Sequence, residues 1–459
     1  LCAASEVDRL ASLYRAGKIS EAVQGFEALL TKEPENADAL AWLGFLYLRT
    51  DKAAQAVPLL EKVAARRPQD LEVLTNLGNA RLAVGKPEDA LRAYEQAVKL
   101  NPNLAEAHYN IGTIHLRANR FAQAIASFSR ATTLRPSDAF AWNNLGVAQE
   151  GSKANRPAAE SFAKASTLRP DSALFARNAA FAHLRINDLG TALLYLARAR
   201  KLDPKDIAVA EAYGEALARA GRWKEARALY EECVPLLGER PQFWFNLGVA
   251  RAKERDVQGA VAAYNRALEL DPNDLDALNN LGLIQISLGN HAAAAVTFDR
   301  LRGLNPNSVI ARINLAACYV SLGETPKAIG VWREILQLDP NRASIRSVLA
   351  SALLAEGRID EAIQQYRELV RRNPKDSSSL GGLGLALLKK DDLPGSEAAL
   401  RQAIAADGKN YAARNNLAVV LERRGKRPEA RAVLQQILRE QPNNQEARQN
   451  LQRLGAGPS

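Results

Sequence analysis

The chain has 459 residues, 47% hydrophobic and 24% charged, with a formal net charge of +10. That balance excludes a disordered tail and a disulfide-stapled miniature domain. No apolar run of about 18 residues occurs that would cross a membrane. Length alone suggests about three domains, but the chain is periodic.

Prolines recur at Pro34, Pro68, Pro102, Pro136, Pro170 and Pro204, then at Pro272, Pro306, Pro340, Pro374 and Pro442, always 34 residues apart or a multiple of it. The two skipped phases hold Gly238 and Gly408. A strict period of this length marks a stacked repeat array. Thirteen repeats run from residue 3 to residue 444. With each repeat numbered so that its proline is position 32, position 7 is mostly Leu or Ile and position 8 mostly Gly, as in Gly78, Gly112, Gly146 and Gly248. Position 20 is nearly always Ala, position 24 is bulky (Tyr94, Phe128, Phe162, Tyr230, Tyr264, Phe298) and position 27 is small, as in Ala97, Ala131, Ala165 and Ala267.

Positions 4, 7, 8 and 11 share one helical face, and positions 20, 24 and 27 mark a second helix. Between them, Gly or Asn near position 15 fits the left-handed conformation that ends a helix. At position 34, Asp70, Asp138, Ser172, Asp206, Asp274, Ser308 and Asp376 are placed to cap the next first helix. Each repeat reads as an antiparallel helix pair that buries its apolar stripe only against its neighbours.

Trp142, Leu145, Gly146, Ala158, Phe162 and Pro170 put almost the whole signature in one repeat, which resembles the tetratricopeptide repeat family. The resemblance implies an all-α, right-handed superhelical solenoid of 13 helix-turn-helix repeats whose first helices line a concave groove. Repeats 1–7 occupy residues 3–240 and repeats 8–13 residues 241–444; residues 445–459 form a capping helix and tail. A bend is expected near 233–241, where Pro235 falls in the last turn of a helix and Gly238 replaces the usual proline. Repeat 12 is the expected soft point, because Gly381 and Gly382 each cost about 1 kcal/mol relative to Ala in a helix.

The far face of the first helix carries positions 2, 6, 9 and 13. Position 6 reads Asn76, Asn110, Asn144, Asn178, then Ala212, then Asn246, Asn280 and Asn314, with Trp42 in repeat 2 and Asn416 and Asn450 at the end. Asn is a mediocre helix former, but its amide both donates and accepts. Stacked helices advance by about 10 Å and an extended peptide by about 3.3 Å per residue, so one rung would meet every third peptide residue. The Asn–Leu–Gly triplets resemble those in the repeat region of O-GlcNAc transferases, which implies a grip on substrate backbones. The competing reading is packing between adjacent first helices.

Position 13 holds Arg117, Arg185, Arg219 and Lys253, with Arg49, Lys389 and Arg423. Cations near helix C-termini satisfy the dipole; facing the groove, they would favour a partner bearing carboxylates or phosphates. Phe140 and Leu174 at position 2 and Phe181 at position 9 are the first choice for an apolar specificity pocket, and Phe243 with Phe245 the second. Asp38, Glu72, Glu106 and Asp276 at position 2, where no Lys occurs, argue against a clamp for acidic chaperone tails.

No zinc-protease, phosphate-loop or nucleophile-elbow motif occurs, and no cofactor is expected. His115 and His183 fall at core-side positions two repeats apart, and Cys233 and Cys318 read as small buried residues. The run Gly381–Gly384 lies in a first helix. The basic cluster Arg423, Arg424, Lys426 and Arg427 lacks interleaved aromatics for stacking bases, which disfavours nucleic acid. Leu1–Cys2–Ala3–Ala4–Ser5 reads either as the end of a secretory signal, implying a periplasmic or secreted protein, or as an arbitrary edge that leaves the cytoplasm open. The expected function is a non-catalytic scaffold that binds extended segments of partner proteins. The alternatives are the recruiting arm of a glycosyltransferase-like enzyme whose catalytic part lies elsewhere, and self-assembly through a neighbour's terminal helix.

Overall fold

The structure, a computed structural model, describes residues 6–455. The segment Leu1–Ser5, with Cys2, lies outside the described residues. Among the described residues there are 27 α-helices and no strand. Every repeat supplies two helices, and Gln445–Gly455 adds the last.

Repeat 5 illustrates the local logic. Its first helix runs Ala139–Gly151 and its second Asn155–Leu168. The Asp138 carboxylate accepts from the N–H groups of Phe140 and Ala141, which would otherwise be orphaned. All seven position 34 residues named as caps do the same for the first helix of the repeat that follows. Asp188, Asp256 and Asp392 also cap second helices, a role the sequence pattern did not single out. The turn between the helices is closed by the Lys153 N–H on the Glu150 carbonyl at 2.9 Å and the Ala154 N–H on the Gln149 carbonyl at 2.8 Å. This pattern needs one left-handed residue. Position 15 supplies it in every repeat, through seven glycines and through Asp51, Asn119, Lys153, Asn187, Arg255 and Asp391.

The turn at position 32 is tied differently. Its carbonyl accepts from the position 4 side chain of the next first helix: Trp142 Nε1 on Pro136 at 3.0 Å, Trp244 Nε1 on Gly238 at 2.7 Å, and Arg346 on Pro340 at 3.0 Å. What is engaged is the carbonyl, not the pyrrolidine ring, so Gly238 serves where proline is missing.

The helices of a repeat approach closely because position 8 has no side chain. A Cβ on Gly146 would lie 2.8 Å from the Phe162 ring, and one on Gly214 would lie 2.4 Å from Tyr230. In repeat 12 a Cβ on Gly382 would lie 2.4 Å from the Tyr366 ring of repeat 11. Of the two glycines, Gly382 makes room for an aromatic ring, while a Cβ on Gly381 would meet nothing closer than Asn410 at 3.4 Å. Ser379, Leu380 and Leu383 of the same helix are buried.

The chain divides into two units, the first ending at Leu237 and the second beginning at Gly238. The second helix of repeat 7, Trp223–Leu237, continues through Pro235 to that point. In the first unit, apolar clusters follow one another along the repeats, from Leu10 through Ala93 and on past Phe162. In the second unit one cluster spans Ala260 to Ala399, and another from Leu380 to Leu454 includes Ala447 and Leu454 of the terminal helix. That helix covers the apolar end of the last repeat, as a solenoid requires. Among the described residues, no helix is long and apolar enough to cross a membrane.

Gly146→Val is expected to cost about 1–3 kcal/mol by forcing side chain into the Phe162 ring. Gly330→Ala, on an exposed helix face with nothing within 4 Å of an added Cβ, should gain about 0.5–1 kcal/mol. Urea midpoints of the two variants test this; shifts of the same sign would contradict it.

Candidate functional site

A rise of 1.5 Å per residue sets positions 2 and 13 of each first helix about 16 Å apart. The outward face of these helices thus has two edges with position 6 between them. Position 2 is exposed at Asp38, Glu72, Glu106, Phe140 and Leu174, and position 13 at Arg49, Arg117, Arg185, Arg219 and Lys253. The asparagines at position 6, Asn76, Asn110, Asn144, Asn178, Asn246, Asn280 and Asn314, are half-buried.

Several of these amides are held by the preceding repeat. Asn110 Nδ2 donates to the Tyr94 hydroxyl at 3.2 Å and to Asn79 Oδ1 at 3.3 Å. Asn144 Nδ2 donates to the Tyr109 hydroxyl at 3.0 Å, and Asn178 Nδ2 to Asn143 Oδ1 at 2.8 Å. Asn280 hydrogen-bonds the Tyr264 hydroxyl, whose pKa burial pushes up to about 12. Burial likewise raises Tyr94, so its hydroxyl stays protonated and donates to Asn79 while accepting from Asn110. Asn246 Oδ1 accepts from Gln242 at 3.2 Å within its own helix. An amide has two N–H donors and two acceptor lone pairs, so one such bond orients the group and leaves the others for a ligand.

Two adjoining clefts open on this face over repeats 2–4. The larger, about 640 Å³, is lined by Phe45, Leu48, Arg49, Leu71, Glu72, Thr75, Asn76, Asn79, Leu104 and Glu106. The smaller, about 150 Å³, is lined by Asp38, Trp42, Phe45, Arg67, Asp70, Glu72 and Asn76, with Ala41 and Val73. Beside them Tyr14, Trp42 and Phe45 form an aromatic cluster with ring centroids 5.3–6.0 Å apart. Of the predicted site residues only Asn76 lines these clefts. Sequence reasoning took Trp42 as a break in the asparagine row, and Asp38, Glu72 and Glu106 only as evidence against one known clamp. The available signal was the run of acids at one repeat position next to an aromatic.

Phe140 and Leu174 are each 54% exposed. The Phe140 ring meets Phe175 edge-on at 5.4 Å, while Phe181 is half-buried with the Arg177 guanidinium 5.7 Å from its ring. In the second unit, Phe243 is buried at 3% exposure and belongs to the core, which corrects its reading as a groove residue. Phe245 is half-buried against Tyr264 at 5.9 Å.

Part of the cationic edge is spent within the array. Arg185 pairs with Glu150 at 2.6 Å, Arg219 donates to Asn187 Oδ1 at 2.7 Å, and Arg423 pairs with Asp391 at 2.8 Å. The basic cluster near the C-terminus is similarly engaged. Arg424 and Lys426 both reach Glu397, which is only 3% exposed. Burial raises that carboxyl, but Lys426, Arg401 and Arg424 outweigh it and hold its pKa below the usual range.

Among the described residues, no group of three or more His, Cys, Asp or Glu side chains is gathered as metal ligands would be. His115 is buried, and burial first, then Arg120, lowers its pKa. His183 Nδ1 stands 3.0 Å from the Asp188 carboxylate. Cys233 and Cys318 are buried, and burial pushes both thiols up, away from the reactive thiolate.

Family models described as tetratricopeptide repeat match residues 13–80 and, in overlapping windows, 75–139, 110–173, 177–241, 214–274, 245–308, 279–343, 347–407 and 382–445. No curated protein matches the chain. Among solved structures, the MamA protein is 23% identical over 36% of this chain and 90% of its own, with a TM-score of 0.34. YrrB, described as a TPR protein with an unusual peptide-binding site, is 22% identical over 41% of this chain and 97% of its own, with a TM-score of 0.37. The Naa15/Naa10 complex bound to HypK-THB is 15% identical over 94% of this chain and 67% of the matched chain, with a TM-score of 0.40.

Because the Asn144 amide is held by a hydroxyl of the preceding repeat, Tyr109→Phe and Asn144→Ala should couple by about 0.5–1.5 kcal/mol in a double-mutant cycle of urea stability. Additive effects would show that the 3.0 Å bond contributes nothing to repeat stacking.

Proposed function

Since the chain belongs to the tetratricopeptide repeat family, whose solenoids are protein-interaction scaffolds, we propose that its first-helix faces bind extended segments of partner proteins by their main chain. In the first unit the rungs are Asn76, Asn110, Asn144 and Asn178; in the second they are Asn246, Asn280 and Asn314. The observation that carries this reading is the state of these amides. They are half-buried on the open face, and Asn110, Asn144 and Asn178 are each oriented by a bond to the repeat before. An amide already held in one rotamer loses little entropy when a ligand binds. The packing role and the binding role are therefore compatible: part of each amide serves the stack, including the Asn144 carbonyl that accepts from Asn143 at 3.3 Å, and the lone pairs and N–H left over serve the guest. Asn76, which lines the larger cleft with Asn79, starts the row.

The partner supplies backbone carbonyls and N–H groups at about 10 Å intervals, roughly one per three residues of extended chain. The protein's part is recognition, with no bond made or broken. The cation edge at Arg117, Arg185, Arg219 and Lys253 lies at the other rim of the same face, about 16 Å from position 2. Phe140, Leu174 and Phe181 add apolar contacts for side chains of the guest.

The test is affinity capture from the native source, comparing wild type with the Asn76→Ala, Asn110→Ala, Asn144→Ala, Asn178→Ala quadruple variant after circular dichroism shows both folded. Loss of four net hydrogen bonds of about 0.5–1.5 kcal/mol each should weaken groove ligands at least tenfold. Their shared segments, read by mass spectrometry, should be extended and low in sequence identity. An unchanged capture list would overturn backbone binding in the first unit.

A further inference from the structure

We propose that the first unit reads a bipartite segment, with basic side chains against repeats 3 and 4 and apolar side chains against repeats 5 and 6. This rests on the backbone-binding reading above and adds what the side chains of the partner must be.

Position 2 changes character along the unit. It is Glu72 and Glu106 in repeats 3 and 4, then Phe140 and Leu174 in repeats 5 and 6. All four side chains are exposed. A carboxylate in the first turn suits the helix dipole, so Phe and Leu at the same place serve no need of the helix. Each leaves 54% of its surface in water.

Glu72 and Glu106 line one cleft of about 640 Å³ whose floor is apolar, with Phe45, Leu48 and Leu71. Asp38, one repeat earlier at the same position, is held by Arg67 at 2.6 Å. Among the described residues, Glu72 and Glu106 have no cation within ion-pair distance. Arg49 of repeat 2 lines the same cleft but forms no ion pair with either carboxylate. Two carboxylates outside any ion pair in a partly apolar cleft, in a chain of net charge +10, favour a cationic guest by charge complementarity, even with Arg49 in the same lining. Lys and Arg suit the site further because their methylene stems lie against apolar surface while the head meets the carboxylate. The half-exposed Trp42 and Phe45 rings nearby offer faces for a guanidinium.

Repeats about 10 Å apart set the guest's spacing at about three residues. The segment then carries two basic residues three apart and, three and six residues further along in one chain direction, two aromatic or branched apolar residues. This revises the expectation of an acidic partner, since the cations that suggested one are in part engaged by Glu150 and Asn187.

The experiment selects a random twelve-residue displayed peptide library on the full chain and measures synthetic consensus peptides by fluorescence anisotropy. Expected is enrichment of Lys or Arg pairs at a spacing of three, joined to an apolar pair. Glu72→Gln with Glu106→Gln should weaken the consensus peptide about tenfold and flatten its salt dependence. Phe140→Ser with Leu174→Ser should weaken it without changing the salt dependence. Both pairs are exposed, so folding is retained. Peptides enriched without basic residues, yet lost in the quadruple asparagine variant, would overturn the charge inference and leave backbone binding standing. Enrichment of nothing beyond an unrelated control chain would overturn both.

Discussion

Eight of the thirteen repeats rest on the contact between a glycine at position 8 of the first helix and the large side chain at position 24 of the second. The missing side chain at Gly78, Gly112 or Gly248 lets the ring of Tyr94, Phe128 or Tyr264 lie directly on the opposing helix, 2.5–2.8 Å from where a Cβ would stand. The same ring then reaches the next repeat. In two repeats its hydroxyl holds the position 6 asparagine that follows: Tyr94 holds Asn110 and Tyr264 holds Asn280. Where it is Phe128 or Phe162, position 5 takes over, through Tyr109 for Asn144 and Asn143 for Asn178. The core contact and the geometry of the outward face are thus one construction.

Charge follows the period as well. Arg120 pairs with Glu88, Arg219 with Asn187, Arg302 with Glu334 and Arg423 with Asp391, each 32 residues apart, so a side chain near one turn reaches the same turn of its neighbour. Exposed pairs of this kind contribute little each, yet they decide which charges remain available. Arg424 and Lys426 look like an open basic patch in the sequence and are instead gathered on buried Glu397. Glu72 and Glu106 look like ordinary first-turn acids and, among the described residues, stand outside any ion pair in an open cleft that Arg49 also lines. The chain's net charge of +10 therefore says little about the sign of the surface a ligand meets.

What the sequence alone determined is whatever depends on residues inside one repeat. The period, the helix pair, the caps at position 34, the left-handed residue at position 15 and the small-against-large contact of positions 8 and 24 all follow from local propensity and a fixed spacing. The asparagine row was legible too, as a column of one residue type. Only the tertiary structure decided what that column touches, because this depends on the register between stacked helices. Position 9 of one helix shares a cleft with positions 2 and 6 of the next, which joins Phe45 to Glu72 and Asn76. No spacing within a single repeat contains that offset. It arises when the bulk at position 24 and the gap at position 8 set how far one helix pair slides along its neighbour.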